Sequence, residues 1–323
     1  MTRAAAAGRF AIACAFAFAS AGLAGCAGDD GGADDDDGGG DDGDGGGIDA
    51  VDAMLPDGDG GGGTCVSPVA EPPWLAAYLA GHVQQLAAAP RATVAQRNAA
   101  RAYVSGQLAS LGLAPMTATY SGGANVVAEL PATTASTAWL VVGAHFDTVT
   151  GSPGANDNAT GVAIVLAAAR ALAAQSCRDT NVAFVFFDQE EIGLVGSQAY
   201  ASAAANAGRN IVAAHTIDQA GWDMDDDLRF EIERPSTGLF AQYQAAATAV
   251  GAQVVQTSTN TTDHESFRAE GFAAAGLTEE YVSGDTTPHY HMATDTTATV
   301  DTAYHRVAAR LMIVLLAREL GAP

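Results

Sequence analysis

Five short segments carry side chains that bind metals or move protons. His145-Phe146-Asp147 follows the apolar run Trp139–Gly143. Asp157 sits twelve residues beyond His145, in Gly154-Ala155-Asn156-Asp157-Asn158, just ahead of a helical pattern. Asp188-Gln189-Glu190-Glu191 follows the β-rich run Asn181–Phe187, and Asp218 follows Ile211–Ile217. Tyr290-His291-Met292-Ala293-Thr294-Asp295 comes late in the chain. Singly, each has an ordinary explanation: Asp157 could cap a helix, the Glu pair could open a solvated helix, and a lone His is usually a structural residue. Together they deliver two imidazoles and at least three carboxylates, with no thiolate. That donor set suits Zn²⁺ or a similar divalent ion.

Such residues must be brought together by the elements that precede them. Apolar residues recur at helical spacing over Trp74–Ala88, Thr93–Leu111, Asn158–Ala174, Ser197–Asn206, Thr237–Gly251 and Tyr304–Leu320. Extended runs fall at Thr117–Tyr120, Asn125–Leu130, Trp139–Gly143, Asn181–Phe187, Ile211–Ile217, Leu228–Ile232 and, more weakly, Ala273–Leu277. Strands alternating with helices predict an α/β fold: a mixed, mainly parallel central sheet with helices on both faces. In such sheets, sites form at the carboxyl ends of the strands. His145, Glu190, Glu191 and Asp218 all lie just past predicted strand ends.

At these residues the sequence resembles a known family. "GAHFDTVTGSPGANDNATGVA", "FVFFDQEEIGLVGSQAY", "TIDQAGW" and "YHMATDT" are similar, in order and spacing, to the M28 dizinc exopeptidases of the bacterial aminopeptidase type. The resemblance spans about residues 74–320 and implies a zinc-exopeptidase fold, peptide substrates and two Zn²⁺. By position it implies that His145 and Asp218 bind one ion, Glu191 and His291 the other, and Asp157 both. Glu190 becomes the general base, Tyr290 the oxyanion donor, Asp147 the partner orienting His145, and Asp295 a matching partner for His291. It also implies a cis Asp157–Asn158 peptide. The roles make physical sense: paired cations need a shared anion, and a free carboxylate must carry the proton from water to the leaving amine. Both glutamates binding metal is a rival arrangement, and His289 competes with His291. The chain departs from the family at Thr216-Ile217-Asp218-Gln219, Asn158 and Thr262-Asp263-His264, which weakens any transfer of substrate preference. Alternative readings are a mono-zinc glutaminyl cyclase-like enzyme and a non-catalytic surface-anchored binding protein. No G-x-S-x-G or H-E-x-x-H occurs.

The remaining sequence concerns address and surroundings. Arg3 and Arg9 precede an uncharged run of sixteen residues, Phe10–Gly25. That is short for a ~20-residue span and reads as a secretory signal. Leu23-Ala24-Gly25-Cys26 resembles the bacterial lipobox, which implies a signal over 1–26 and a lipid anchor on Cys26. Ala27 rather than Asp favours the outer membrane, at the periplasmic face or the cell surface. Residues 27–64 hold 13 Asp and no other charged residue, and read as a disordered Gly/Asp-rich linker. Residues 65–323 form the predicted metallopeptidase domain, expected to be monomeric. Cys65 and Cys177 are an even pair in an oxidising compartment, so a disulfide between them is expected. The net charge of −23, with 14 Arg and no Lys, excludes a nucleic-acid binder and a polybasic membrane-surface protein. Asp223, Asp225 and Asp227 alternate in a way that could hold Ca²⁺, though a solvated turn explains them as well.

Overall fold

Strands that read as unbroken apolar runs bury both of their faces, and their residue parity shows which face each side chain serves. In the computed structural model, which describes residues 70–321, the strands are β1 (Met116–Tyr120), β2 (Gly123–Leu130), β3 (Ala138–His145), β4 (Asn181–Phe187), β5 (Asn210–Ile217), β6 (Arg229–Glu233), β7 (Gln253–Thr257) and β8 (Ala274–Thr278). The helices are α1 (Leu75–Leu86), α2 (Val94–Ser110), α3 (Gly161–Ala173), α4 (Val195–Asn206), α5 (Thr237–Val250), α6 (His264–Ala269) and α7 (Thr302–Glu319). Leu140, Val142 and Ala144 of β3, with Val182, Phe184 and Phe186 of β4, face a core built with α1, α2, α3, α5 and α7. Val141, Ala183, Val185 and Phe187 point the other way, onto Ala201 and Ala204 of α4 and Phe267 of α6.

The eight strands form one sheet in the order β1-β2-β4-β3-β5-β8-β6-β7. Pairs β4·β3, β3·β5, β5·β8 and β6·β7 are parallel, and β1·β2, β2·β4 and β6·β8 antiparallel. The fold is therefore the mixed, mainly parallel α/β sheet with helices on both faces that the pattern predicts. Register decides what meets at the rim. His145 is level with Phe187 of β4, and Gly143 with Thr216 of β5. Asp188 and Asp218 consequently emerge beside His145.

Two local expectations change. The helix predicted from Asn158 begins at Gly161, because residues 155–160 form a wide turn with non-helical angles at Asp157 and Asn158. β7 was not legible, since Gln-Val-Val-Gln-Thr is a short, half-exposed edge strand with little apolar alternation. The signal, the linker and Cys65 lie outside the described residues; Cys177 is disulfide-bonded. Among the described residues no helix is long and apolar enough to cross a membrane.

Candidate metal centre

His145 ends β3 and is buried. Its Nε2 lies 3.3 Å from Oδ1 of Asp157 and 3.3 Å from Oδ1 of Asp218. His291 approaches the same aspartate from the other side: its Nε2 lies 3.2 Å from Asp157 Oδ2 and 3.0 Å from Glu191 Oε2. Two tripods result, His145–Asp157–Asp218 and Asp157–Glu191–His291, each with one ligand atom per residue within 4.8 Å of the others. Asp157 belongs to both, one oxygen to each. Glu190 lines the cleft over this cluster together with Asp157, Asp218, Tyr290 and His291. The Tyr290 ring stacks on His291 with centroids 3.8 Å apart.

Hydrogen bonds from the surrounding chain fix these side chains. Asp147 lies 3.5 Å from His145 Nδ1 and accepts the backbone N–H groups of Glu190 and Glu191 at 3.0 and 3.3 Å. One carboxylate thus ties the β3 rim to the β4 rim. Val149 N–H donates to Glu191 Oε1 at 3.1 Å, which leaves Oε2 facing His291. The Asp157–Asn158 peptide is cis, and Asn158 Nδ2 donates to the Ile217 carbonyl at 2.8 Å, next to Asp218. Asp295 departs from the sequence expectation. Its carboxylate accepts the N–H groups of Asn156 and Asp157 at 2.8 and 3.1 Å. It therefore holds the Asp157 turn, because its two oxygens are spent on backbone donors rather than on the His291 ring.

One residue that sequence reasoning missed is Arg91, in the α1–α2 connection. It is 3% exposed, and its guanidinium donates to the carbonyls of Phe146, Leu86, Pro153 and Gly154 at 2.6–2.8 Å. Phe146 separates His145 from Asp147, and Gly154 opens the Asp157 turn. Gly154 is itself constrained: φ is +66°, and a Cβ there would meet the Asp157 carbonyl at 2.5 Å and Arg91 Nη2 at 2.7 Å. The signal was present only as a lone Arg beside Pro90, too common a pattern to read.

The electrostatics of the cluster would suit bound cations. Burial pushes the Glu190 carboxyl up to about 10 and Glu191 to about 7, with neighbouring carboxylates adding to both. Burial raises Asp218 to about 6 against the pull of His145. Burial would depress the His145 imidazole, yet Glu190, Asp218, Asp147 and Asp157 lift it well above its usual range. Asp157 falls to about 2 although burial opposes this, because both histidines rest on it. Four crowded carboxylates with two imidazoles match the donor chemistry of a divalent pair, which would relieve their repulsion.

Other candidates stay outside. His289 Nδ1 lies 2.9 Å from Thr294 Oγ1, and its ring packs edge-on to Trp222. Asp223, Asp225 and Asp227 do come within 4.8 Å of one another. However, Asp223 accepts from Leu228 N–H, and Asp227 accepts from Arg229 N–H and pairs with its guanidinium at 2.8 Å. The carboxylates of Asp223 and Asp227 thus shape the turn before β6.

Residues 125–316 match the sequence model of Peptidase family M28. A probable leucine aminopeptidase of Trichophyton verrucosum is 30% identical over 55% of this chain and 52% of its own length. A probable lipoprotein aminopeptidase, LpqL, of Mycobacterium tuberculosis is 28% identical over 62% of this chain and 46% of its own. The chain thus spans about half the length of these curated relatives. Among solved structures, the LapA aminopeptidase of Legionella pneumophila has a TM-score of 0.71 at 18% identity, covering 77% of this chain and 72% of its own. A glutaminyl cyclase of Porphyromonas gingivalis shares the fold with a TM-score of 0.65 at 21% identity, covering 76% and 98%.

Proposed function

Because the chain belongs to peptidase family M28, we propose that it is a zinc-dependent aminopeptidase that hydrolyses N-terminal residues from peptides. The carrying observation is Asp157, whose two oxygens face two different imidazoles at 3.3 and 3.2 Å. A carboxylate so placed suits two ions rather than one. His145 and Asp218 would hold the first ion, Glu191 and His291 the second, and Asp157 both. When bound, the ions polarise a carbonyl oxygen and lower the pKa of water at the site.

The chain supplies the rest. Of the cleft carboxylates that neither tripod uses, Glu190 is the one next to Glu191 and the one whose charge acts most on His145, so it takes a proton from water and passes it to the departing amine. A base must be ionised, whereas burial, with neighbouring carboxylates, pushes Glu190 up. A bound divalent pair would favour its ionised form. Tyr290, stacked on His291 and lining the cleft, donates its hydroxyl to the developing oxyanion. Asp147 orients His145 and positions the backbone of both glutamates.

Metal analysis of purified protein with a panel of aminoacyl anilides tests this reading. About two zinc ions per chain and release of N-terminal residues are expected. A single zinc with cyclisation of N-terminal glutamine would select the cyclase alternative. Sound metal binding with no turnover of either kind would select the non-catalytic binding protein, against which the intact Glu190 speaks. The wider reading is a monomeric, exported lipoprotein anchored through Cys26 and facing the periplasm or the cell surface, with the outer membrane favoured. It draws on Leu23-Ala24-Gly25-Cys26 and on LpqL. Labelled fatty acid should enter the protein and be lost in Cys26→Ser.

A further inference from the structure

The cleft beside the metal centre contains a carboxylate for which the proposed chemistry has no use. Glu233 ends β6 and lines the cleft with Gln219, Thr259, Thr261, Thr262 and Thr278, although the residue is only 1% exposed. It pairs across the sheet with Gly276 of β8, which pairs in turn with Thr216 of β5. A Cβ at Gly276 would lie 2.3 Å from Glu233 Oε2, so the missing side chain is the space the carboxylate occupies.

Its two oxygens differ. The Thr262 hydroxyl donates to Oε2 at 2.5 Å. That uses its single proton, so it accepts from Nδ1–H of His264 at 2.8 Å. His264 Nδ1 is also 3.2 Å from Oε2. No described residue donates to Oε1. Nearby, the buried end of the Gln219 amide, assigned as Oε1, has no partner either. A carboxylate oxygen left to the cleft and a buried amide oxygen without a donor would both be met by a ligand that supplies N–H groups.

We propose that this wall binds the cationic side chain of a substrate's N-terminal lysine or arginine, with Glu233 determining that preference. The inference rests on the aminopeptidase reading and adds a substrate class to it. The α-ammonium group is not the natural occupant. It is two bonds from the scissile carbonyl and so stays at the metal rim, whereas Glu233 stands two strands from β5, about 10 Å away at ordinary strand spacing. A lysyl or arginyl side chain together with the glutamate's own length bridges that gap. Leucine would cover Glu233 and the threonine hydroxyls while giving them nothing to bond. The net charge of −23 also draws cationic peptides towards the protein.

The test is kcat/KM of the zinc-loaded protein on lysyl, arginyl, norleucyl and leucyl p-nitroanilides. Norleucine has nearly the length of lysine without its charge. Lysine and arginine are expected to exceed norleucine by ~10-fold or more, the scale of a hydrogen bond to a charged group. Glu233→Gln should collapse the lysine-to-norleucine ratio by a similar factor. Gly276→Ala, which displaces the carboxylate without removing it, should do the same. A native ratio of one or less, or a ratio unmoved by Glu233→Gln, overturns the proposal while leaving the aminopeptidase reading intact. If no anilide is cleaved, that reading fails instead, and calorimetry with lysine and norleucine hydroxamates decides this one. Binding of the lysine compound ~10-fold more tightly supports it, and equal affinity overturns it.

Discussion

Replacing Arg91 tests whether the metal ligands are held by a hub that touches none of them. The guanidinium donates to four carbonyls, of Leu86, Phe146, Pro153 and Gly154. Burial pulls its pKa down to about 10, against the surrounding carboxylates Asp157, Asp295, Asp147 and Glu191, so it remains a cation at neutral pH. Arg91→Met preserves much of the volume and removes every donor. At ~1 kcal/mol net for each bond, the four together give about 4 kcal/mol. For a domain of this size that corresponds to a fall in Tm of roughly 8–16 °C. Arg91→Lys keeps the charge, but one ammonium cannot fork towards carbonyls on separate segments, so about half the loss is expected. Thermal unfolding of the metal-free protein measures this directly. Zinc titration supplies a second readout, because the Phe146 and Gly154 segments carry His145 and Asp157. Both variants should bind zinc ~10-fold or more weakly, and excess zinc should restore kcat in Arg91→Lys. If Arg91→Met melts within a few degrees of the wild type with unchanged zinc affinity, Arg91 is not the hub and the reasoning fails.

Glu190→Gln should lower kcat by ~10²-fold or more while zinc content stays the same; near-normal turnover would assign the base elsewhere. Asp295→Ala removes the acceptor for Asn156 and Asp157 N–H and should weaken zinc binding without changing the pH profile of the loaded enzyme, as seen by comparing chelator resistance and kcat against pH. His305 is buried, donates to the Thr160 carbonyl, and is held down to about 4 mainly by burial. The unfolded chain takes up that proton near 6.5 and the folded chain only near 4, so stability drops as pH is lowered through this window. By pH 5 this amounts to about 2 kcal/mol. His305→Gln should remove that component, so urea unfolding at pH 7 and 5 should show wild type and variant diverging in pH response; parallel responses would refute it.

Legibility followed from where the information resides in the chain. His145, Glu190, Glu191 and Asp218 were readable because each directly follows a strand whose apolar run is unmistakable. Asp157 and His291 lie outside regular strands; their residue types marked them as candidate ligands, and the family pattern added which ion each would serve. Asp295 was found but misread: four residues after His291 suggested a local partner, whereas the fold turns its carboxylate onto backbone 138 residues away. Arg91 and Glu233 were invisible for a related reason. Their roles are set by long-range neighbours, and neither has a local pattern unlike that of a surface Arg or a strand-end Glu.

Such long-range ties explain why the centre is built on β4, β3 and β5. Three adjacent parallel strands end at one rim, and their ~4.8 Å spacing places Asp188, His145 and Asp218 in a row before any loop contributes. Strand spacing alone cannot bring five side chains into two tripods. Asp157 must descend between the β3 and β5 ends, and His291 must arrive from a loop far along the chain. Both movements are secured by carboxylates that accept backbone N–H groups, Asp147 towards β4 and Asp295 towards the Asp157 turn, and by Arg91 beneath them. These three residues bear charge, yet their partners are mostly neutral backbone groups, so their bonds persist whether or not ions occupy the centre. The carboxylates of the two tripods and Glu190 repel one another in the absence of cations. Preorganisation therefore comes from the backbone-bound set, and affinity for cations from the frustrated set that it holds in place.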